Sequence, residues 1–293
     1  MTANKPVDKA LSLTDEVVTA FDATPDPRLR AILGSLVRYV HDFVRDVEPS
    51  MAEWSTAIEF LTAVGQKCSD VRQEFVLLSD VLGISMLIET INDSNAPGST
   101  DSTVLGPFHM TESPLRELGE TTDMIGVADP VVVTGSVRNT RRELLSGASI
   151  DVWQCDPNGF YDVQQPDVQP PGNGRALFHA DADGQFWFQT VMPCHYPIPT
   201  DGPVGTLLNA TSRHPFRPAH IHFIAAAPGH RTLTTHIFIP DDPYLGSDAV
   251  FAVKRSLIGE IGAVGDDQAL ELGVPTGTAV LNVDLVLAPE ITN

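Results

Sequence analysis

The stretch Asp181-Ala182-Asp183-Gly184-Gln185-Phe186-Trp187-Phe188-Gln189-Thr190-Val191 decides the fold. Its first four residues are turn formers. Behind them, Phe186 and Phe188 alternate at the period of two that puts side chains on one face of a strand. Short β-branched or aromatic runs of the same kind recur at 131–133, 148–153, 220–226, 232–239 and 278–287, with turn residues between them. Many short strands with few intervening helices predict an antiparallel β-sandwich rather than a parallel sheet. One short helix, over about 248–257, is expected to interrupt the series.

Upstream of this region the period changes to 3.6. Asp26 is placed to cap a helix that begins at Pro27, where the missing N–H costs least. Leu29, Ile32, Leu33, Leu36, Val37, Val40, Phe43, Val44 and Val47 then form one apolar stripe, closed by Pro49. Ser50 and Glu53 have capping-box spacing and open a second helix through Trp54, Ile58 and Leu61. A third helix, from about 69 to 91, is apolar on most sides and is expected to be buried. Residues 92–103, rich in Asn, Asp, Ser, Gly and Pro, form a connection. The predicted class is α+β: an all-helical N-terminal dimerisation and linker domain, 1–103, followed by an antiparallel β-sandwich domain, 104–293. The helical stripe carries more apolar surface than a three-helix cap hides, so a homodimer through it is expected.

Composition narrows the function. The 293 residues carry 18 basic and 38 acidic side chains, a formal charge of −20. Such a surface repels phosphate backbones and anionic headgroups, which speaks against nucleic-acid and membrane-surface roles. A hydrophobic fraction of 42% is enough for a large core. No apolar run is long enough to span a bilayer. The N-terminus lacks a basic-then-apolar leader pattern, and Cys68, Cys155 and Cys194 are too few and too scattered for a disulfide framework. A cytoplasmic protein with free thiols is expected.

The chemistry concentrates in Arg217-Pro218-Ala219-His220-Ile221-His222-Phe223. Residues two apart on a strand share a face, so both imidazoles can reach one metal ion. His236, on the next predicted strand, is a candidate third ligand. Two of the four tyrosines stand in unusual settings: Tyr161 after Asn158-Gly159-Phe160, and Tyr196 within Met192-Pro193-Cys194-His195-Tyr196-Pro197-Ile198-Pro199. A large aromatic in so stiff a loop either packs or ligates. His179 and His195 read as loop residues, and Phe186, Trp187 and Phe188 as sandwich core and cover.

Together these motifs resemble the intradiol ring-cleavage dioxygenases. The likeness is carried by Gly159-Phe160-Tyr161, by Pro193 to Tyr196 with Asp201-Gly202-Pro203, and by Arg217 to His222. It continues through Gly229-His230-Arg231, Leu233-Thr234-Thr235 and Leu105-Gly106-Pro107-Phe108, in the family's order. The resemblance implies a dimerising helical domain on a β-sandwich that holds non-haem Fe(3+). It implies Tyr161, Tyr196, His220 and His222 as metal ligands, and phenolates do suit iron(III). Tyr196 is the ligand expected to leave the metal and take a proton when substrate chelates. Arg217 is expected to stabilise charge on the substrate. His236 stands where catechol-cleaving relatives often carry glutamine and is expected behind the ligands, as a hydrogen-bond partner. Relatives trap a phospholipid between their helical domains, and the apolar helices here permit the same.

The resemblance also implies a ring pocket formed by Leu77, Asp80, Val81, Val104, Leu105, Gly106, Pro107, Phe108, Ile198, Pro199, Arg217 and Val250. Most are apolar and suit a flat aromatic ring. Asp80 is the exception. If it faces the pocket, plain catechol leaves its carboxylate unpaired, whereas a third ring hydroxyl satisfies it. Hydroxyquinol (1,2,4-trihydroxybenzene), opened with O2 to 3-hydroxy-cis,cis-muconate and maleylacetate, is therefore the expected substrate, ahead of catechol and chlorocatechol. A zinc hydrolase built on His220, His222 and His236, or a metal-containing binding module, are the remote alternatives.

Overall fold

The computed structural model describes residues 6–69, 72–93, 97–106, 108–109, 112–126 and 130–290. The chain forms two compact units, residues 1–62 and 63–293. The first holds α1 (Pro6–Thr19), α2 (Pro27–Val47) and the start of α3 (Met51–Lys67). The Asp26 side chain accepts from the N–H groups of Arg28 and Leu29, with Pro27 at the first helical position, as its sequence predicts. Glu53 accepts from the Ser50 N–H at 2.7 Å, and the Ser50 hydroxyl accepts from the Glu53 N–H at 3.3 Å, which completes the capping box. The helix α1 has no counterpart in the sequence reading; Thr14 on it lies 3.0 Å from His41 Nδ1 on α2. Ile32, Leu36, Val40, Phe43 and Val47 of the stripe are exposed.

The expected third helix is two. Gly83 takes φ +72, its N–H turns back to the Asp80 carbonyl, and the chain divides into α4 (Glu74–Val81) and α5 (Ile84–Asp93). Nor is it buried all round. One face of α4 buries Leu77, Asp80 and Val81, while Phe75, Val76, Leu82, Leu87, Ile88 and Ile91 are exposed.

The sandwich has two four-stranded sheets. One is ordered β4 (Gln185–Val191), β1 (Pro130–Asn139), β10 (Ala279–Leu287), β9 (Glu260–Ala263). The other is ordered β3 (Arg175–His179), β2 (Ser149–Trp153), β7 (His220–Ala226), β8 (Leu233–Phe238). A small ribbon pairs β5 (Tyr196–Pro197) with β6 (Phe216–Arg217). Pairing is antiparallel except between β1 and β10, which run parallel from Val131 opposite Ala279 to Asn139 opposite Leu287. A period of two cannot announce strand direction, so this pairing of the first and last strands is a finding of the structure. Val133, Val137, Phe186, Phe188, Leu281, Val283 and Leu285 from one sheet meet Ile150, Val152, Phe178, Ile221, Phe223 and Ala225 from the other. Each buried side chain of this size contributes about 1.5–3 kcal/mol on leaving water. Phe178 stacks on Phe188 across the sheets at 4.9 Å. Trp187 lies on the opposite face of its strand, against a smaller cluster with Val132, Val280 and Leu272.

Two short helices, α6 (Pro203–Ala210) and α7 (Asp266–Leu272), complete the unit. The expected helix over 248–257 contracts to a 3-10 turn at Arg255–Leu257. Asp248 captures the chain that follows it instead, accepting from the N–H groups of Val250 (3.2 Å) and Ala252 (3.0 Å).

Candidate metal centre

Register puts the site on the outer face of the second sheet. Ile221 and Phe223 of β7 point into the core, so His220 and His222 point the other way. Across the strands, His236 lies opposite His222, His222 opposite Trp153, and Trp153 opposite Arg175. Paired residues share a face. One row of the sheet therefore carries His236, His222, Trp153 and Arg175 side by side. Chain beyond the sheet roofs this face: Cys155, Tyr161 and Tyr196 form a buried cluster with Trp153, and Phe108 packs against it.

Four donor atoms converge beneath that roof. His220 Nε2 lies 3.1 Å from His222 Nε2, which lies 3.1 Å from the Tyr161 hydroxyl, and the two tyrosine hydroxyls are 3.3 Å apart. All four side chains are no more than 2% exposed. The His220 ring is fixed by Nδ1, 2.7 Å from the Pro218 carbonyl, which leaves Nε2 as the lone pair facing the cluster. His222 is held differently. Its Nδ1 has no hydrogen-bond partner among the described residues, but its ring stacks on Trp153 at 4.4 Å and 13°. Gly106, at φ +79, approaches so closely that an added Cβ would stand 3.1 Å from His222 Cε1. Gly159 likewise leaves room for Tyr196, whose Cβ is 3.0 Å from the position a Cβ would take.

Burial holds all three histidines well below the usual imidazole range, with the Arg217 charge acting in the same direction. They are neutral and offer lone pairs. Burial also raises both tyrosines, Tyr161 further than Tyr196, which has the Arg217 guanidinium beside it. Phenols in so dry a place ionise only against a cation. Two neutral nitrogens and two hard phenol oxygens within 3.3 Å of their neighbours form a donor set that fits iron(III). A rival set is present, because one ligand atom each from His220, His222 and His236 falls within 4.8 Å of the others. In that set His236 Nδ1 is engaged by the Thr103 hydroxyl at 3.0 Å, while its Nε2 is buried with no hydrogen-bond partner among the described residues. His195, which is exposed and lies 3.3 Å from Asp242, stands outside the cluster, as does exposed His179 at the end of β3.

The remaining residues singled out by sequence gather nearby. Leu77, Val81, Val104, Ile198 and Val250 are buried in one continuous aliphatic cluster. Phe108 stacks on Tyr161 at 4.6 Å, Leu105 is exposed, and Pro199 is half-buried. Pro107 lies outside the described residues. Asp80 is 3% exposed, and its Oδ1 has no hydrogen-bond partner among the described residues. Burial pushes its carboxyl above the usual range, while Ser85 and Arg217 act against that rise. Arg217 is fully enclosed; Nη1 is 3.2 Å from His220 Nε2 and Nε donates to Asp248 Oδ1 at 3.3 Å. Sequence reasoning missed Trp153, Thr103 and Asp248, none of which belongs to a ligand motif.

Comparison with known proteins agrees with this geometry. Residues 105–289 match the family described as dioxygenase, and residues 26–100 the catechol dioxygenase N terminus. The chain belongs to the intradiol ring-cleavage dioxygenases, a family of iron-dependent enzymes. It is 48% identical to hydroxyquinol 1,2-dioxygenase of Rhizobium sp. (strain MTP-10005), over 90% of each chain. It is 44% identical to 6-chlorohydroxyquinol 1,2-dioxygenase of Cupriavidus pinatubonensis (strain JMP 134 / LMG 1197), over 96% of this chain and 98% of that one. The solved structure of hydroxyquinol 1,2-dioxygenase from Pseudomonas putida DLL-E4 superposes with a TM-score of 0.90 at 46% identity, covering 96% of this chain and 99% of that one. Among the described residues no helix is long and apolar enough to cross a membrane.

Proposed function

We propose that the chain is a non-haem iron(III) dioxygenase that opens hydroxyquinol between C1 and C2 with O2, giving 3-hydroxy-cis,cis-muconate, which tautomerises to maleylacetate. Tyr161, Tyr196, His220 and His222 hold the iron. When bound, iron(III) draws electron density from a chelated diol and so opens the ring to attack by O2. The protein's own groups do the rest. The Tyr196 oxygen takes a proton from an incoming diol hydroxyl. Arg217 faces the ring oxygens with a permanent charge. Leu77, Val81, Val104, Ile198 and Val250 exclude water, with Leu105, Gly106, Phe108 and Pro199 at the rim. His236 braces the histidine row through Thr103.

The observation that carries the substrate is Asp80, an acid enclosed at 3% exposure with one carboxyl oxygen free of partners among the described residues. It accepts the third ring hydroxyl, which catechol and chlorocatechol lack. A hydrogen bond to a charged group is worth about 1.5–3 kcal/mol, so kcat/KM for hydroxyquinol should exceed that for catechol about 10- to 150-fold. The test is oxygen uptake with hydroxyquinol, catechol and 4-chlorocatechol by wild type and Asp80→Ala. The reading fails if wild type prefers catechol, or if Asp80→Ala keeps the wild-type preference.

The functional division proposed assigns dimerisation and the linker to residues 1–103 and the iron site to 104–293. The exposed stripe of α2 supports a homodimer through the helices, and a phospholipid suits the same apolar surface. The free thiols of Cys68, Cys155 and Cys194 support a cytoplasmic location.

A further inference from the structure

Arg217 is a fully buried, permanently charged side chain, and such a group needs a partner that fixes both its charge and its direction. Asp248 meets both needs. It is 5% exposed, and its Oδ1 accepts from Arg217 Nε at 3.3 Å. The same carboxylate binds its own backbone, Oδ1 accepting from the Val250 N–H at 3.2 Å and Oδ2 from the Ala252 N–H at 3.0 Å. The turn so formed is tied at two further points. The Ala249 N–H donates to the Phe216 carbonyl at 3.1 Å, and the Ala249 carbonyl accepts from Arg213 Nη2 at 2.9 Å. Arg213 Nη1 also donates to the Val81 carbonyl at 2.6 Å, joining this turn to the end of α4. Arg217 itself lies opposite Tyr196 in the β5–β6 ribbon. Its Nη1 points at His220, and its Nη2 has no hydrogen-bond partner among the described residues.

We propose that Asp248 is a positioning residue, holding the Arg217 guanidinium by Nε so that its outer nitrogens face the reacting oxygens. It acts through Arg217, and its own backbone contacts to Val250 and Ala252 fix where its carboxylate stands. This inference rests on the role given to Arg217 under the proposed function. Asparagine at 248 retains one oxygen acceptor but loses the counter-charge. Glutamate keeps the charge but moves it by one methylene.

The experiment is a double-mutant cycle on the iron-loaded full chain: wild type, Arg217→Ala, Asp248→Asn, Asp248→Glu, and each Asp248 variant combined with Arg217→Ala. It measures kcat and KM for hydroxyquinol, iron content, melting temperature, and the diol dissociation constant under anaerobic conditions. In the wild-type background Asp248→Asn should lower kcat about 10- to 100-fold, as misplacing a catalytic charge by about 1 Å does. KM, the anaerobic dissociation constant and iron content should change less than about threefold. With Arg217 already gone, the same substitution should cost less than about threefold, because the group it positions is absent. Asp248→Glu repeats the cycle if the Asn form is not recovered folded, with a smaller loss that again disappears without Arg217. Equal losses in both backgrounds overturn the proposal, as does a kcat within threefold of wild type. If Arg217→Ala alone leaves kcat unchanged, the role of Arg217 itself is what fails.

Discussion

Replacing Gly106 with alanine tests whether the 104–109 loop holds His222 in place. Two costs are expected. Gly106 sits at φ +79, and an L-residue in that region costs about 1–2 kcal/mol. The added methyl carbon would also stand 3.1 Å from His222 Cε1 and 3.8 Å from Nε2, so the ring must shift by a few tenths of an ångström. Stacking on Trp153 at 4.4 Å limits where it can go. The two costs together amount to about 1–3 kcal/mol, or roughly 3–10 °C in melting temperature for a unit of this size. Displacing a metal-ligating imidazole should also weaken iron retention about 10- to 100-fold. Gly126→Ala is the control: φ is +71 there, but nothing among the described residues lies within 4 Å of the added carbon, so only the backbone cost applies. Calorimetry and iron-to-protein ratios after dialysis against a chelator separate the two costs. If Gly106→Ala retains iron as well as Gly126→Ala does, the loop does not hold His222.

Two further outcomes are expected. Burial raises the Asp80 carboxyl, so the unfolded chain gives up this proton at lower pH than the folded one does, and wild-type stability falls as pH rises through that window. Asp80→Asn should therefore melt above wild type, with a margin that widens as pH rises from about 4; a margin that shrinks with pH would contradict the burial argument. Phe43→Asp places a charge in the exposed α2 stripe and should convert a dimer to a monomer in sedimentation at micromolar concentration, with the iron site unaffected; a wild-type protein already monomeric there would remove the dimer reading.

Much of this was legible in the sequence because it depends on short-range rules. Asp26 with Pro27, Ser50 with Glu53, and the period-two runs at β4 and β7 encode their own local structure, and the structure places those elements as predicted. The ligand candidates were legible for the same reason: His220 and His222 share a face by the geometry of a strand. What stayed hidden depends on register and on distant chain. The parallel pairing of β1 with β10, and the row that brings Trp153 and Arg175 beside His222, arise from strands far apart in sequence. Gly83 was a visible signal for the break between α4 and α5, outweighed by the apolar run around it. Asp248 resembled a helix start, and only the buried guanidinium of Arg217 reveals why it turns the chain instead.

The central claim is a buried iron(III) held by two tyrosines and two histidines, and visible absorption with metal analysis on the purified enzyme tests it most directly. Two phenolates on iron(III) give ligand-to-metal charge transfer, so the protein should be red to purple-brown, contain about one iron per chain and bleach with dithionite. Tyr161→Phe should lose both the colour and most of the metal. A colourless, fully metallated and active enzyme, or a Tyr161→Phe variant with the wild-type spectrum, would contradict the assignment.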